Sequence, residues 1–166
     1  DQVSRLGFVW LQKTSTADET IEGKIAFEKY ALDRGVKILN YHADNGIFRA
    51  NKWVDACRSQ GQGLSFAAVN AHHQNGMAER RIGELQGLAR TMLIHANKRW
   101  PKVATANLWP YAVRMANDVL NETPSLRIST RQSPLQVFAD TKVNPNDKTC
   151  KPVPYNNLTT PTTYPV

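Results

Sequence analysis

Two acidic residues, Asp44 and Glu79, have the type and the placement to hold a divalent metal ion. Asp44 ends an apolar run and precedes an Asn-Gly turn, so it falls at the carboxyl end of a predicted strand or just past it. Glu79 falls in the first turn of a long predicted helix. Carboxylates without a Cys or His cluster suit Mg²⁺ or Mn²⁺ rather than Zn²⁺. Two such ions about 4 Å apart can activate an attacking oxygen and stabilise a leaving one in phosphoryl transfer.

Glu79 also has a plainer interpretation. Most glutamates on helices are solvated surface residues, and Glu79 taken alone predicts no site. Other chemistries have less support, because the adjacent His72 and His73 match no common zinc-ligand spacing. The chain also carries no Gly-rich phosphate loop of either common type.

Basic residues follow the same predicted helix and its end. They are Arg80, Arg81, Arg90, Lys98 and Arg99. The whole chain has 21 Lys+Arg against 14 Asp+Glu, a net charge of +7, which favours an anionic partner such as nucleic acid. Contacts of such residues with a phosphate backbone are mostly independent of the nucleotide sequence. A solvated basic face explains the pattern equally well.

The elements that must position these residues alternate along the chain. Strands are predicted at 5–13, 36–41 and 64–69. Helices are predicted at 18–34, at 48–59, from Met77 to the Trp100-Pro101 stop, at 108–120 and at 134–138. This alternation favours an α/β layer with parallel strands, in which sites form at the carboxyl ends of the strands. Asp44 and Glu79 are therefore expected at one crevice.

Local signals refine the helices. Thr16 and Glu19 match a capping box at the start of the first helix, and Gly35 fits the left-handed position after its last turn. The apolar face of this first helix is predicted from Ile21, Ile25 and Leu32, with Phe27 and Ala31 flanking it. The long helix has an apolar stripe of Ala78, Ile82, Leu85, Ala89, Met92 and Ala96.

Composition bounds the organisation of the chain. With 166 residues, 41% of them apolar, there is material for one domain with a core, over 1–140. Five of the nine prolines fall within 144–166, so 141–166 is predicted to be an extended tail or linker. No apolar run approaches the ~20 residues that span a bilayer, so no membrane association is expected. Cys57 and Cys150 indicate no disulfide framework and fit a reducing compartment.

Several segments, in order, resemble the integrase catalytic core of long-terminal-repeat retrotransposons of the Ty1/copia type. They are DQVSRLGFVW at 1–10, HADNGIF at 42–48, HHQNGMAERRIGELQGLARTML at 72–93, NLWPYAVRMANDVLN at 107–121 and SPLQVF at 133–138. Together they extend over nearly all of 1–140. Several matching pieces in the right order are more specific than any one of them.

The resemblance implies an α/β fold of the RNase H-like, retroviral integrase core-like class, with a mixed sheet flanked by helices. It implies a D,D-E metal triad in which Asp44 is the second acid and Glu79 the third. Two Mg²⁺ or Mn²⁺ ions are expected in the complete enzyme. There are 34 residues between the two acids, one fewer than is usual in the family, and the short turn DNGIF accounts for the difference.

The resemblance also implies the partners and the reaction. The residues expected beside DNA are His73, Gln74, Asn75, Arg80, Arg81 and Arg90. In the complete enzyme, water trims the 3′ ends of the element, and each new 3′ hydroxyl then attacks a target phosphate in line. The implied partners are the element ends, target DNA and further copies of the enzyme. The implied location is intracellular, in the nucleus for the integration step and otherwise in a cytoplasmic particle.

One departure concerns the first acid of the triad. Asp1 matches a later, non-catalytic Asp of the family, so the first two strands and the first metal ligand are expected upstream of it. We therefore expect an incomplete sheet and a chain that is inactive alone. The alternatives are a non-catalytic, basic nucleic-acid-binding remnant, or another RNase H-like nuclease, which lacks the copia-like segments around Glu79 and Trp109.

Overall fold

The computed structural model describes residues 1, 3–67, 76–103, 105–125, 128 and 131–139. Its helices are α1 (Ala17–Leu32), α2 (Asn51–Arg58), α3 (Gly76–Arg99), α4 (Trp109–Glu122) and α5 (Pro134–Ala139), and its strands are β1 (Asn40–Ala43) and β2 (Gly63–Phe66). Short 3₁₀ turns at Ile47–Arg49 and Ala106–Leu108 precede α2 and α4. Within the described residues, no helix is both long enough and apolar enough to cross a bilayer. The predicted tail at 141–166 and Cys150 lie outside these ranges.

The two strands form a parallel pair, as the alternation of elements predicts. Asn40 lies opposite Gly63, and Ala43 lies opposite Phe66. β1 is shorter than predicted and begins at Asn40 rather than at residue 36. Helix α2 covers the pair through the buried Trp53, whose ring lies 5.7 Å from that of Tyr41.

The prediction of a strand at 5–13 is wrong. This segment belongs to no strand, because none of the described residues forms a backbone ladder with it. A strand needs a neighbour to pair its N–H and C=O groups, and apolar composition alone does not supply one. The side chains are nonetheless packed: the Phe8 ring lies 5.3 Å from Phe27 and 5.4 Å from Tyr30 of α1, and Val9 joins the core between α3 and α4.

The N-terminus of α1 is capped at Thr16, as predicted. The Thr16 hydroxyl accepts a hydrogen bond from the Glu19 N–H at 3.4 Å. The Glu19 carboxylate reaches farther back than a capping box requires and accepts from the N–H groups of Lys13 and Thr14. After the helix, Gly35 has a φ of +74°, so the predicted left-handed position is confirmed.

The predicted apolar face of α1 is confirmed only in part: the flanking Ala31 and Phe27 belong to the core, but two of its three central residues do not. Ile25 and Leu32 are 55% and 67% exposed, whereas Gly23 and Ala31 are buried. Trp10 lies so close to α1 that a Cβ atom at Gly23 would be 2.7 Å from its ring. Gly23, Lys24 and Ala31 therefore face inward. Gly23 leaves room for Trp10, and Ala31 packs in one cluster with Leu6 and Phe138.

Helices α3 and α4 form the largest helix contact through small side chains. The buried apolar residues at this contact are Leu85 and Ala89 of α3 and Ala112 and Ala116 of α4. The C-terminal part of the predicted α3 stripe is confirmed, but Ala78 and Ile82 at its start are exposed. One turn before Leu85, the inward position is occupied by Arg81 instead.

Candidate functional site

Asp44 lies directly past the carboxyl end of β1, as predicted. The neighbouring residues are fixed: the Ala67 N–H donates to the Ala43 carbonyl at 2.9 Å, and Asn45 Nδ2 donates to the Ala67 carbonyl at 2.7 Å. The Asp44 carboxylate is exposed, and its Oδ1 accepts from the Gly46 N–H at 3.3 Å, which closes a tight turn. The strand pair thus presents this acid to solvent at its edge.

Glu79 lies in the first turn of α3, also as predicted. Its side chain is exposed, and so are Gly83, Gln86 and Arg90 along the same face of the helix. The unpaired N–H groups at a helix N-terminus favour a negative charge there, so this position suits a carboxylate.

The two acids follow the two strands of one parallel pair. Asp44 comes directly after β1, and Glu79 lies on the first described helix after β2. Hard oxygen donors of this kind fit Mg²⁺ or Mn²⁺. In the described ranges, however, no group of three or more Asp, Glu, His or Cys side chains could hold a metal ion. Each acid is of a suitable type for such an ion, and neither belongs to a group of three potential ligands within the described residues.

The residues predicted to contact DNA fall into three groups. His73, Gln74 and Asn75 lie outside the described residues. Arg80 and Arg90 are exposed on α3 and are free to meet a phosphate backbone. Arg81 is half-buried and points into the protein, where its Nη2 donates to Asn121 Oδ1 at 2.8 Å.

Arg81 belongs to a buried polar cluster with Gly7, Asn117 and Asn121, which we call the amide clamp. The Asn121 side chain pairs both backbone groups of Gly7, accepting from its N–H at 3.0 Å and donating to its carbonyl at 2.8 Å. Asn117 Nδ2 donates to the same carbonyl at 3.1 Å. One side-chain amide thus replaces the neighbouring strand that residue 7 lacks among the described residues. Burial lowers the pKa of Arg81, and the nearby Glu84 carboxylate partly offsets that effect.

Sequence reasoning missed the roles of Asn117 and Asn121. Both are buried, and they lie four residues apart beside the buried Ala112 and Ala116 of α4. Two amides at that spacing next to an apolar stripe are the signal that could have identified them, because buried amides need partners.

A second polar cluster supports the strand that carries Asp44. Oε1 of Glu28 accepts from Tyr41 Oη at 2.8 Å and from Gln62 Nε2 at 2.5 Å. Lys24 Nζ lies 2.9 Å from the same oxygen, at ion-pair distance, although it meets hydrogen-bond geometry with no described residue. The Lys24 side chain is only 1% exposed. We call these four residues the carboxylate cluster.

The charges of the carboxylate cluster shift two pKa values. Burial alone would raise the pKa of Glu28, but the contacts with Lys24, Gln62 and Tyr41 outweigh it and place that pKa below its ordinary value. Burial, followed by the hydrogen bond to the Glu28 carboxylate, raises the pKa of Tyr41 far above its ordinary range. Glu28 is therefore ionised and Tyr41 neutral at physiological pH.

A cleft of about 260 Å³ runs along the backbone of residues 7–10, beside the amide clamp. Tyr30 of α1 and Arg114, Asn117, Asp118 and Asn121 of α4 line its walls. Asp118 is exposed, but partial desolvation at the wall of the cleft raises its pKa, and the Arg114 guanidinium partly offsets that effect. Neither candidate acid lines this cleft.

Comparison with known proteins identifies the fold. No protein-family model matches the chain, and no curated protein matches its sequence. Among solved structures, the catalytic core domain of the HTLV-2 integrase, determined in complex with magnesium in a trimeric form, matches with a TM-score of 0.61. The match covers 81% of this chain and 78% of that one at 20% sequence identity. The chain thus has the α/β fold of a retroviral integrase catalytic core.

Proposed function

We propose that this chain is part of the catalytic core of a Ty1/copia-type retrotransposon integrase and that the complete protein joins DNA. The supporting observation is an integrase core-like fold in which Asp44 directly follows β1 and Glu79 lies in the first turn of α3. The resemblance implies that these two residues are metal ligands. The donor chemistry and the net charge of +7 agree with a metal-dependent reaction on DNA.

In this proposal, Asp44 and Glu79 hold divalent metal together with a third acid, which the resemblance places before Asp1. When bound by these acids, Mg²⁺ or Mn²⁺ ions would supply positive charge that activates the attacking oxygen and stabilises the leaving oxygen. Water serves as the first nucleophile and trims the 3′ ends, and the new 3′ hydroxyl then attacks the target phosphate in line. The exposed Arg80 and Arg90 neutralise backbone phosphates and fix the register of the DNA.

The proposal extends to assembly and location. The complete enzyme acts as a homo-oligomer on both element ends and on target DNA, and the integration step takes place in the nucleus.

A metal-dependent DNA-binding assay tests the enzymatic reading. We expect Mn²⁺ to strengthen binding of a labelled duplex, measured by fluorescence anisotropy, and Asp44→Asn or Glu79→Gln to abolish that strengthening. Lys29→Ala, an exposed change on α1, is the control and should keep the Mn²⁺ effect. A metal effect that both acid variants retain would rule out these residues as ligands.

A strand-transfer assay tests the need for the third acid. With Mn²⁺ and a processed DNA end, the 166-residue chain should show no turnover, because two acids alone hold the metal weakly. Turnover that Asp44→Asn abolishes would overturn this expectation and show that a third acid is unnecessary.

The second candidate is a non-catalytic nucleic-acid-binding remnant. The observation in its favour is that no group of three metal-binding side chains occurs within the described residues, while the exposed arginines of α3 remain. This reading predicts DNA binding that does not respond to Mn²⁺ and is unaffected by Asp44→Asn. Salt should weaken the binding under either reading, so the metal response separates them.

A further inference from the structure

The first two turns of α3 contribute no fully buried side chain to the core. Residues 77–80, 82 and 83 are exposed, and the first buried residue of the helix is Leu85. No described atom lies within 4 Å of a Cβ placed at Gly83, and a glycine inside a helix weakens it relative to alanine. Without a tertiary contact, the turns that carry Glu79 would fray more readily than the turns that follow.

Arg81 supplies that tertiary contact. Its guanidinium crosses from α3 to Asn121 of α4 at 2.8 Å, and the same Asn121 amide holds both backbone groups of Gly7. Three separate segments are therefore joined through one side chain. A hydrogen bond to a charged group contributes more than a neutral one, so this is a strong attachment for a solvent-facing helix start.

The helical geometry links Arg81 to Glu79. The two residues are two positions apart, which places their side chains about 200° from each other around the helix axis. With Arg81 turned toward α4, Glu79 must face away from the core, and its side chain is indeed exposed. Fixing Arg81 thus fixes the direction of the acid.

The surroundings of Arg81 suit this role better than DNA contact. Asn117 Oδ1 and Arg81 Nε are buried and have no hydrogen-bond partner among the described residues. Both face the point beside Gly7 where a Cβ would lie, at 2.6 and 3.0 Å. Only a glycine leaves room there for both groups. A guanidinium enclosed in this way would have to leave the clamp before it could reach a phosphate.

We propose that Arg81 and Asn121 are positioning residues that hold the start of α3 so that Glu79 faces the metal, and that Arg81 is not a DNA ligand. The role in positioning rests on the proposed function, because it gives Glu79 a metal to face. The mechanical part of the proposal is that these residues keep the first turns of α3 folded, and it rests on the observed contacts alone. The two parts therefore need separate measurements.

Hydrogen exchange followed by NMR tests the mechanical part. In Arg81→Ala and in Asn121→Ala, we expect the amides of residues 80–84 to exchange at least about tenfold faster, while those of 86–99 keep their protection. Arg81→Lys retains one donor for Asn121 and should restore part of the protection. Arg80→Ala, a change of the adjacent exposed arginine, is the matched control and should leave the amide exchange of residues 81–84 unchanged. Unchanged exchange at 80–84 in both Arg81→Ala and Asn121→Ala would overturn the proposal.

DNA affinity separates Arg81 from Arg80. Asn121→Ala releases Arg81 from the clamp and leaves its charge in place. If Arg81 were a DNA ligand, Asn121→Ala would leave binding unchanged, whereas Arg81→Ala would weaken it as much as Arg80→Ala does. We expect instead that Asn121→Ala and Arg81→Ala change DNA affinity equally and less than Arg80→Ala.

Paramagnetic broadening by Mn²⁺ tests the direction of Glu79. In the wild-type chain, the side-chain signals of Asp44 and Glu79 should broaden at the same Mn²⁺ concentration. In Arg81→Ala, broadening of Glu79 should require several times more Mn²⁺ than broadening of Asp44. Equal broadening in that variant would overturn the positioning role. If neither acid broadens in the wild type, the metal site of the proposed function fails, and the exchange experiment still decides whether Arg81 holds the helix.

Discussion

Two buried polar clusters lie behind the two candidate acids, and they differ in charge. The carboxylate cluster (Lys24, Glu28, Tyr41 and Gln62) holds β1, from which Asp44 emerges. The amide clamp (Gly7, Arg81, Asn117 and Asn121) holds the start of α3, which carries Glu79. The first is built around an ionised carboxylate, and the second around neutral amides that accept one guanidinium.

This difference shows that an exposed acid can be placed by either kind of support, with different sensitivities. A buried ion pair is costly when one partner is removed, and it responds to pH. A neutral amide cluster responds to shape, because its groups must fit around one peptide. We therefore expect charge changes to damage the β1 side and steric changes to damage the α3 side.

The largest effect should come from Lys24→Met. This change removes the cation that neutralises Glu28 and leaves a mostly buried carboxylate, so the free energy of unfolding should fall by about 3 kcal/mol. Urea denaturation followed by circular dichroism measures it. The matched control is Lys52→Met, because Lys52 pairs with Asp18 at the surface with side chains 67% and 69% exposed, and its loss should cost less than about 1 kcal/mol. Equal losses in the two variants would show that burial of the pair is unimportant.

The next effect should come from Gly7→Ala. A Cβ at this position would lie 2.6 Å from Asn117 Oδ1, and Asn117 cannot move aside without losing its hydrogen bond to the Gly7 carbonyl. We expect a loss of about 1–3 kcal/mol in the same denaturation assay. Gly83→Ala is the control with the opposite sign: no described atom lies within 4 Å of the new Cβ, and alanine should stabilise α3 by about 0.5–1 kcal/mol. A neutral Gly7→Ala would argue against a tight clamp.

The smallest effect concerns the pH dependence of stability. The pKa of Glu28 is lower in the folded chain than its ordinary 4.5, so the ionised form favours folding above that pH. Its contribution is lost as the pH falls through the folded pKa. The loss of stability between about pH 5 and about pH 3 should therefore be smaller in Glu28→Gln, as measured by urea midpoints across that range.

Asp118 provides the opposite case for the same titration. Partial desolvation raises the pKa of this exposed carboxyl above the ordinary 3.8, so its ionisation opposes folding slightly, and its contribution improves as the pH falls. Asp118→Asn should consequently make the acid loss steeper than in the wild-type chain. Parallel slopes in the two variants would contradict the assignment of opposite shifts to these carboxyl groups.

Short-range patterns in the sequence were sufficient to predict where the two candidate acids lie on their strand and helix. The apolar run and the Asn-Gly turn predicted that Asp44 follows a strand, and helical periodicity put Glu79 in the first turn of α3. The cap at Thr16 and the left-handed Gly35 were predicted in the same way. These signals act within a few residues, and the chain displays them before it folds.

The inward-facing sides of the helices were predicted less well. Helix α1 has apolar residues around much of its surface, and distant segments decide which side is buried: Trp10 lies against Gly23, and Leu6 and Phe138 pack with Ala31. In α3, periodicity identified Leu85 and Ala89 but gave Ile82 the inward place that Arg81 occupies. Periodicity describes a helix face, but the partner decides which face is buried.

The sequence by itself determined the order of the elements from α1 onward, the parallel pairing and the places of Asp44 and Glu79 along them. Only the tertiary structure decided that residues 5–13 form no strand and that the Gly7 peptide is completed by Asn121, 114 residues away. It also decided that, of two adjacent arginines, Arg80 faces solvent and Arg81 the interior. The physical reason is that backbone and guanidinium groups must find hydrogen-bond partners wherever the fold supplies them, and no local pattern specifies a partner so distant in the chain.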